Sequence, residues 1–381
     1  MKHSLIFVAT TPFAVNAFLR IHLLALAETY EVTLCVNTAA YPLADDVARA
    51  VQVRHVDIER KITPWQDLRA LFQLMRCFRE IRPDVVHSMT PKAGLLAMLA
   101  AWLMGVPWRF HTFTGQVWAN KTGVARSLMR TIDRLIVVCA NRVFADSASQ
   151  CKFLENEGVV RRGGVVVLGQ GSVAGVDLAR FHPDASARAA LRTDLGVSNE
   201  NPVFLFVGRL VRDKGVFDLI DAFALVNAEH HQWELWMVGP DEDGIQADLE
   251  ARGAHSGARI RWFDSTSCPE RFMVAADVLV LPSYREGFGS VIIEGAACGV
   301  PCIAYRIDGV IDAIVENRTG LFVDKGDIHS LSDSMKQLGF EQNIRRDLGE
   351  AARLRAASEF SSSAVSGAWK KFYSVVLQEW V

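Results

Sequence analysis

The chain has 381 residues, of which 50% are hydrophobic and 22% charged, with a formal net charge of −2. That composition excludes a disordered chain, and the length exceeds one ordinary core, so two domains are expected. The near-neutral total hides a division: residues 1–181 hold 21 Lys and Arg against 14 Asp and Glu, and the remainder hold 20 against 29, so the first half is suited to an anionic partner such as phosphate, membrane surface or nucleic acid.

The apolar run in MKHSLIFVAT lasts only about six residues with no small-residue cleavage site after it, and reads as a first β-strand rather than a secretory leader. LIFVAT, EVTLCVN, VQVRHV, DVVHSM, WRFHTF, RVFADS and VVVLG then alternate with helix-length segments, the βαβ pattern of a parallel sheet. The longest uncharged stretch, Ala93 to Trp108, is too short to span a bilayer and reads as a buried helix. His87 and Lys92, just before and at its start, stand at a strand's carboxyl end, where such sheets bind ligands; Lys92 is a candidate for an acceptor phosphate. Farther on, Arg126, Arg130 and Arg134 recur every fourth residue, with Val124, Leu128, Ile132 and Leu135 on the other face. This predicts an amphipathic basic helix, with its apolar side packed and its arginines in solvent or on anionic lipid. Ser147 and Gln150 have the spacing of a capping box in a helix that Gly158 stops.

After a polar stretch over 178–201 the rhythm restarts with PVFLFVG, WELWMVG, IRWF, DVLVLPS, PCIAYR and GLFVD. The expected fold is α/β, with two Rossmann-like, doubly wound parallel-sheet domains, 1–181 and 182–361, facing a cleft, and a C-terminal helix over 362–381 crossing back onto the first.

The strongest chemistry opens the second domain. In FLFVGRLVRDKGVFDLIDAF a strand runs into Gly208, and Arg209 and Lys214 stand beside the start of a helix, a setting that stabilises a diphosphate. In REGFGSVIIEG the residues Gly287, Phe288, Gly289 and Ser290 bring backbone amides to a second helix start, Glu294 lies about one turn on, and Glu286 precedes the turn. An acidic residue so placed can accept hydrogen bonds from a ribose diol. The seven cysteines lack CxxC or CxxH spacing and read as reduced core thiols, and Asp241 to Asp243 reads as a solvated loop, so no metal site is predicted.

These motifs resemble the family-4 retaining glycosyltransferases of GT-B fold. The resemblance rests on the E-x7-E spacing of Glu286 and Glu294, on GRLxxxKG over 208–215 and on GVDLARFHP over 175–183, and covers nearly the whole chain. It implies that Arg209 and Lys214 bind the donor diphosphate, that Glu294 binds the ribose and that Glu286 binds the sugar hydroxyls. His111, in RFHTFTGQVW, would bond the donor sugar near its reacting carbon. No metal or cofactor is implied, since the departing phosphate itself helps to deprotonate the acceptor hydroxyl. Asn16 stands where many members have a glycine-rich turn and, with Lys92, Lys121 and Arg126, is a candidate acceptor contact. TPKAGLLAMLAA and HTFTGQVW resemble bacterial members that extend polyprenyl-diphosphate-linked sugars for O-antigen, capsule or exopolysaccharide. The expected protein transfers a hexosyl or N-acetylhexosaminyl group from a UDP-sugar to a lipid-linked saccharide, as a peripheral enzyme on the cytoplasmic membrane face, without nucleic acid. A soluble acceptor, or nucleotide-sugar epimerisation, is the alternative.

Overall fold

The computed structural model describes residues 2–39, 41–59, 61 and 63–378. It divides into two units, Met1–Gly175 with Ser362–Val381, and Val176–Ser361.

The first unit holds strands β1 (Ser4–Val8), β2 (Glu31–Val36), β3 (Gln52–His55), β4 (Val85–Met89), β5 (Trp108–Phe113), β6 (Arg142–Ala145) and β7 (Val166–Val167). They pair in parallel in the order β3-β2-β1-β4-β5-β6-β7. Its helices are α1 (Pro12–Ala14), α2 (Arg20–Ala27), α3 (Asp45–Ala50), α4 (Pro64–Ile81), α5 (Pro91–Leu103), α6 (Gly123–Cys139) and α7 (Ala148–Asn156).

The second unit adds α8 (Ala185–Asp194), β8 (Val203–Val207), α9 (Val216–Asn227), β9 (Glu234–Val238), α10 (Gln246–Ser256), β10 (Ile260–Phe263), α11 (Pro269–Ala275), β11 (Val278–Leu281) and α12 (Ser290–Ala297). It continues with β12 (Cys302–Tyr305), α13 (Val310–Ala313), β13 (Gly320–Val323), α14 (Ile328–Phe340) and α15 (Gln342–Glu359). The strand order is β10-β9-β8-β11-β12-β13, again parallel. Helices cover both faces of such a sheet, which is why VFLFV of β8 and VLVL of β11 are unbroken apolar runs. The order reverses between β1 and β4 and between β8 and β11, and open α/β sheets bind ligands beyond the carboxyl ends of such strands. The chain leaves β8 into Gly208–Lys214 and β11 into Ser283–Gly289.

Three expectations need correction. The boundary falls at Gly175, not at residue 181, because Val176 N–H donates to Phe360 O (2.7 Å) and Phe181 joins the second unit's core. His87 is not at an open strand end. Its Nδ1 lies 2.6 Å from Tyr373 Oη and its Nε2 2.8 Å from Thr112 Oγ1. Tyr373 belongs to α16 (Ser362–Gln378), whose Trp369 stacks on His22 at 4.1 Å and on His87 at 4.9 Å, so buried aromatic contacts seat α16 in the first unit.

The roll of α6 also differs from the expected one. Arg126 and Arg130 pair with Glu157 just past α7, at 2.5 and 3.2 Å, and Arg134 donates to Gly158 O. Asp133 is buried and accepts from Trp118 Nε1 at 2.7 Å. Of the expected apolar face only Ile132 packs inward, joined by Met129 and Ile136, while Val124, Leu128 and Leu135 face outward.

Candidate functional site

Past β8 the chain turns through Gly208 and Arg209 into a short 3-10 turn, Arg212–Lys214, and Gly215 opens α9 with φ +67°. A Cβ on Gly215 would stand 1.9 Å from Pro282 O, so only glycine lets this turn lie against the loop leaving β11. Tyr284 N–H donates to Asp213 O at 2.8 Å and ties the two loops together. The result is an ion pair between Lys214 Nζ and Glu286 Oε1 at 2.5 Å. Two residues that the sequence assigns to one ligand therefore meet.

Arg209 lies beside this turn and pairs with Glu242 at 2.7 Å, both side chains being about 40% exposed. Exposed pairs of this kind contribute ~0–1 kcal/mol, so an anion can displace the glutamate at little cost. Asp241 is a capping group rather than free charge: its carboxylate accepts from the amides of Ile245 and Gln246 at 2.9 Å, and these bonds hold its pKa below the ordinary value.

The second loop is shaped by a residue the sequence reading missed. Gly309, with φ +90°, precedes α13, and a Cβ there would approach Gly287 O to 2.5 Å and Glu286 O to 2.8 Å. It backs the turn that carries Glu286, a role invisible in Gly309's own neighbours in sequence. Gly289 then opens α12. Among the described residues no side chain caps α9 or α12; at α12 Ile292 N–H already donates to Gly289 O at 2.8 Å, so the amides ahead of it are the ones that suit an anion. The Phe288 ring is in the core, 5.2 Å from Phe360, which leaves its backbone as the part facing the turn. Ser290 is the first residue of α12. In that helix's second turn, burial pushes the Glu294 carboxyl up to about 7, with Arg180 opposing and Glu270 adding to the shift. Arg180 pairs with Glu270 at 2.7 Å; its only sequence signal is its place in GVDLARFHP.

In the first unit the expectations fare differently. His111 lies within β5, paired with Ser88 and Val143. Its Nδ1 is 2.9 Å from Ser88 Oγ, and its ring packs so closely on α5 that a Cβ on Gly94 would come within 2.4 Å of it. Only 1% exposed, with its pKa pushed by burial down to about 3, it is a core histidine and not a sugar contact. Asn16 uses both amide atoms on the loop ahead of α3, donating to Pro42 O at 3.1 Å and accepting from Ala44 N–H at 3.0 Å. Lys92 is paired with Asp67 at 2.5 Å and Arg126 with Glu157. Lys121 is exposed.

Two residues at neighbouring strand ends went unnoticed in sequence. Thr90, after β4, holds φ +76°, a conformation β-branched residues rarely adopt, and its hydroxyl lies 2.7 Å from that of Thr10. Gln116, after β5, is 2% exposed, and neither atom of its amide has a hydrogen-bond partner. A buried amide normally finds partners.

A family model described as "Glycosyl transferase 4-like domain" matches residues 21–171, and one described as "Glycosyl transferases group 1" matches residues 187–355. The chain is 28% identical over 330 residues to the capsular polysaccharide biosynthesis glycosyltransferase CapM of Staphylococcus aureus, covering 86% of each chain. It is 27% identical over 374 residues to a D-inositol 3-phosphate glycosyltransferase of Streptomyces avermitilis, covering 91% of this chain and 79% of that one. Among solved structures, HepE from Anabaena in complex with UDP and glucose is similar with a TM-score of 0.81 at 18% identity, covering 98% of this chain and 100% of that one. With two parallel-sheet units, each matched by a glycosyltransferase model, the chain belongs to the family-4 glycosyltransferases of GT-B fold.

Proposed function

We propose that this glycosyltransferase moves a hexosyl or N-acetylhexosaminyl group from a UDP-sugar to a polyprenyl-diphosphate-linked saccharide. The reaction takes place at the cytoplasmic membrane face, in the synthesis of capsule, O-antigen or exopolysaccharide. The convergence of Lys214 and Glu286 beside two uncapped helix starts carries this reading. Lys214, Arg209 and the first-turn amides stabilise the diphosphate as the bond from sugar carbon to phosphate oxygen breaks, which supplies the charge a metal would otherwise supply. The acceptor oxygen forms the new bond, and its proton passes to the departing phosphate. Glu286 orients the sugar hydroxyls, and Glu294 accepts from the ribose. With His111 in the core, the Gln116 amide is the group after β5 suited to a saccharide hydroxyl. The role named for CapM supports capsule synthesis as the setting, and the UDP bound by HepE supports the nucleotide.

The direct test offers UDP-sugars with bacterial lipid extract in EDTA and separates products by phase. UDP release with sugar in the organic phase is expected. Release with sugar in the aqueous phase would favour the soluble-acceptor alternative, and no release from any donor would overturn transfer.

Nucleotide affinity should also depend on pH. With its carboxyl pushed up to about 7, Glu294 is largely protonated at pH 6 and largely ionised at pH 8, and the ionised form is the better acceptor for a diol. Calorimetric UDP affinity is expected to rise severalfold over that range and to rise less in Glu294→Gln. Parallel pH profiles in the two proteins would remove Glu294 from the site.

A further inference from the structure

The sequence of α5, PKAGLLAMLAAWL, contains one charge, Lys92, and that charge is held by Asp67 of α4. A helix so apolar all round suits complete burial. Yet Leu95 and Leu99 are only partly buried, and Trp102 and Leu103 are exposed, forming an apolar row at helical spacing. α6 packs beside α5 and carries an exposed apolar row of its own. Val124 (85% exposed), Leu128 (60%), Leu135 and Val138 (74%) recur along its outer side, a length of roughly 20 Å. One exposed leucine is ordinary, but rows on two adjoining helices form the kind of patch that meets another surface.

Charge identifies that surface. Residues 91–165 hold ten Lys and Arg against four Asp and Glu, whereas residues 1–90 hold ten against nine. The first unit's positive surplus therefore lies largely in the part of the chain that builds α5, α6 and their neighbours. Of the four acids, Asp133 is buried against Trp118, and Glu157 is engaged by Arg126 and Arg130. Arg134 donates to backbone carbonyls and so keeps its net charge. Exposed apolar rows within a segment of net positive charge match the boundary layer of an anionic bilayer, where Trp and Leu enter the acyl region and Lys and Arg meet headgroups. No described helix is long and apolar enough to cross a membrane.

We propose that the outer rows of α5 and α6 dock the first unit onto an anionic lipid membrane. This docking face rests on the membrane-face reading above and sharpens it, because the contact is made by the apolar rows and not by Arg126 and Arg130.

The test sediments the full chain with phosphatidylcholine vesicles containing about one third phosphatidylglycerol, at low and high salt. The unaltered protein is expected to bind, less strongly at high salt. The double variant Leu128→Asp, Val138→Asp should lose about tenfold or more of its partition, with UDP affinity and melting temperature unchanged as controls for folding. Arg126→Gln should change partition by less than about threefold. A double variant that binds vesicles like the unaltered protein would overturn the docking face and leave the membrane reading standing. No binding by the unaltered protein would overturn both. An unaltered protein that elutes as a dimer and ignores vesicles, with the double variant monomeric, would assign the rows to a second copy and overturn the proposal.

Discussion

Replacing Lys214 with alanine is expected to lower turnover by about 10²- to 10³-fold, the cost of removing one charged group aimed at developing negative charge. The effect should fall mainly on kcat, because the charge on the leaving diphosphate grows as the sugar bond breaks, while Arg209 and the amides of α9 and α12 still hold the ground state. The substitution leaves the core intact, since Lys214 is 20% exposed and the turn is fixed by Gly215 against Pro282. Lys214→Arg keeps the charge but not the reach and should recover part of the loss. Turnover of Lys214→Ala within about tenfold of the unaltered enzyme would move the diphosphate away from this turn.

The second large effect is on stability in acid. Burial lowers the pKa of His22 to about 4 and of His111 to about 3, and pushes His87 well below its ordinary value. All three are in the first unit, and each takes up a proton near pH 6.5 when the chain unfolds. Below that pH the unfolded state binds more protons, so each imidazole removes about 1.4 kcal/mol of stability per pH unit. Asp133 opposes them: burial pushes its carboxyl up to about 6, so its protonation favours the folded unit as pH falls. The net of about two protons corresponds to roughly 3 kcal/mol per unit between pH 6 and 4, a loss comparable over that range to a domain's whole stability. Urea midpoints followed by tryptophan fluorescence should fall steeply over this interval. His111→Asn should flatten the slope by about one proton, and midpoints independent of pH would sink the placement of these imidazoles in the core.

The strands were legible because parallel sheets bury both faces, so LIFVAT or VFLFVG announces itself without long-range information. The meeting of Lys214 and Glu286 was legible for a related reason: both sit between a strand end and a helix start, where position alone brings side chains together. The failures share a different cause. A repeat of arginines every fourth residue defines a stripe on α6 but not which way it points; Glu157, just past α7, decides that. The motif alone assigns His111 to the donor sugar; the strand that holds it is legible through Phe113, but strand bounds do not tell which face a side chain takes, and Ser88 and Gly94 receive this ring in the core. Lys92 and Asn16 look free until Asp67 and Pro42 are brought beside them. Gly309 carries no chemistry of its own, and its importance lies in the backbone of a turn it does not precede.

The return of α16 to the first unit bears on the order in which the protein can be made. The second unit is a continuous segment, Val176–Ser361, and its core is complete once that segment has left the ribosome. The first unit begins earlier but has neither Trp369 to cover His22 nor Tyr373 to bond His87 until synthesis is almost finished. Domains usually finish in the order they are translated; here the unit that starts first is completed last, and a chain ending at Ser361 would carry a whole second unit and a first unit with its aromatic core open.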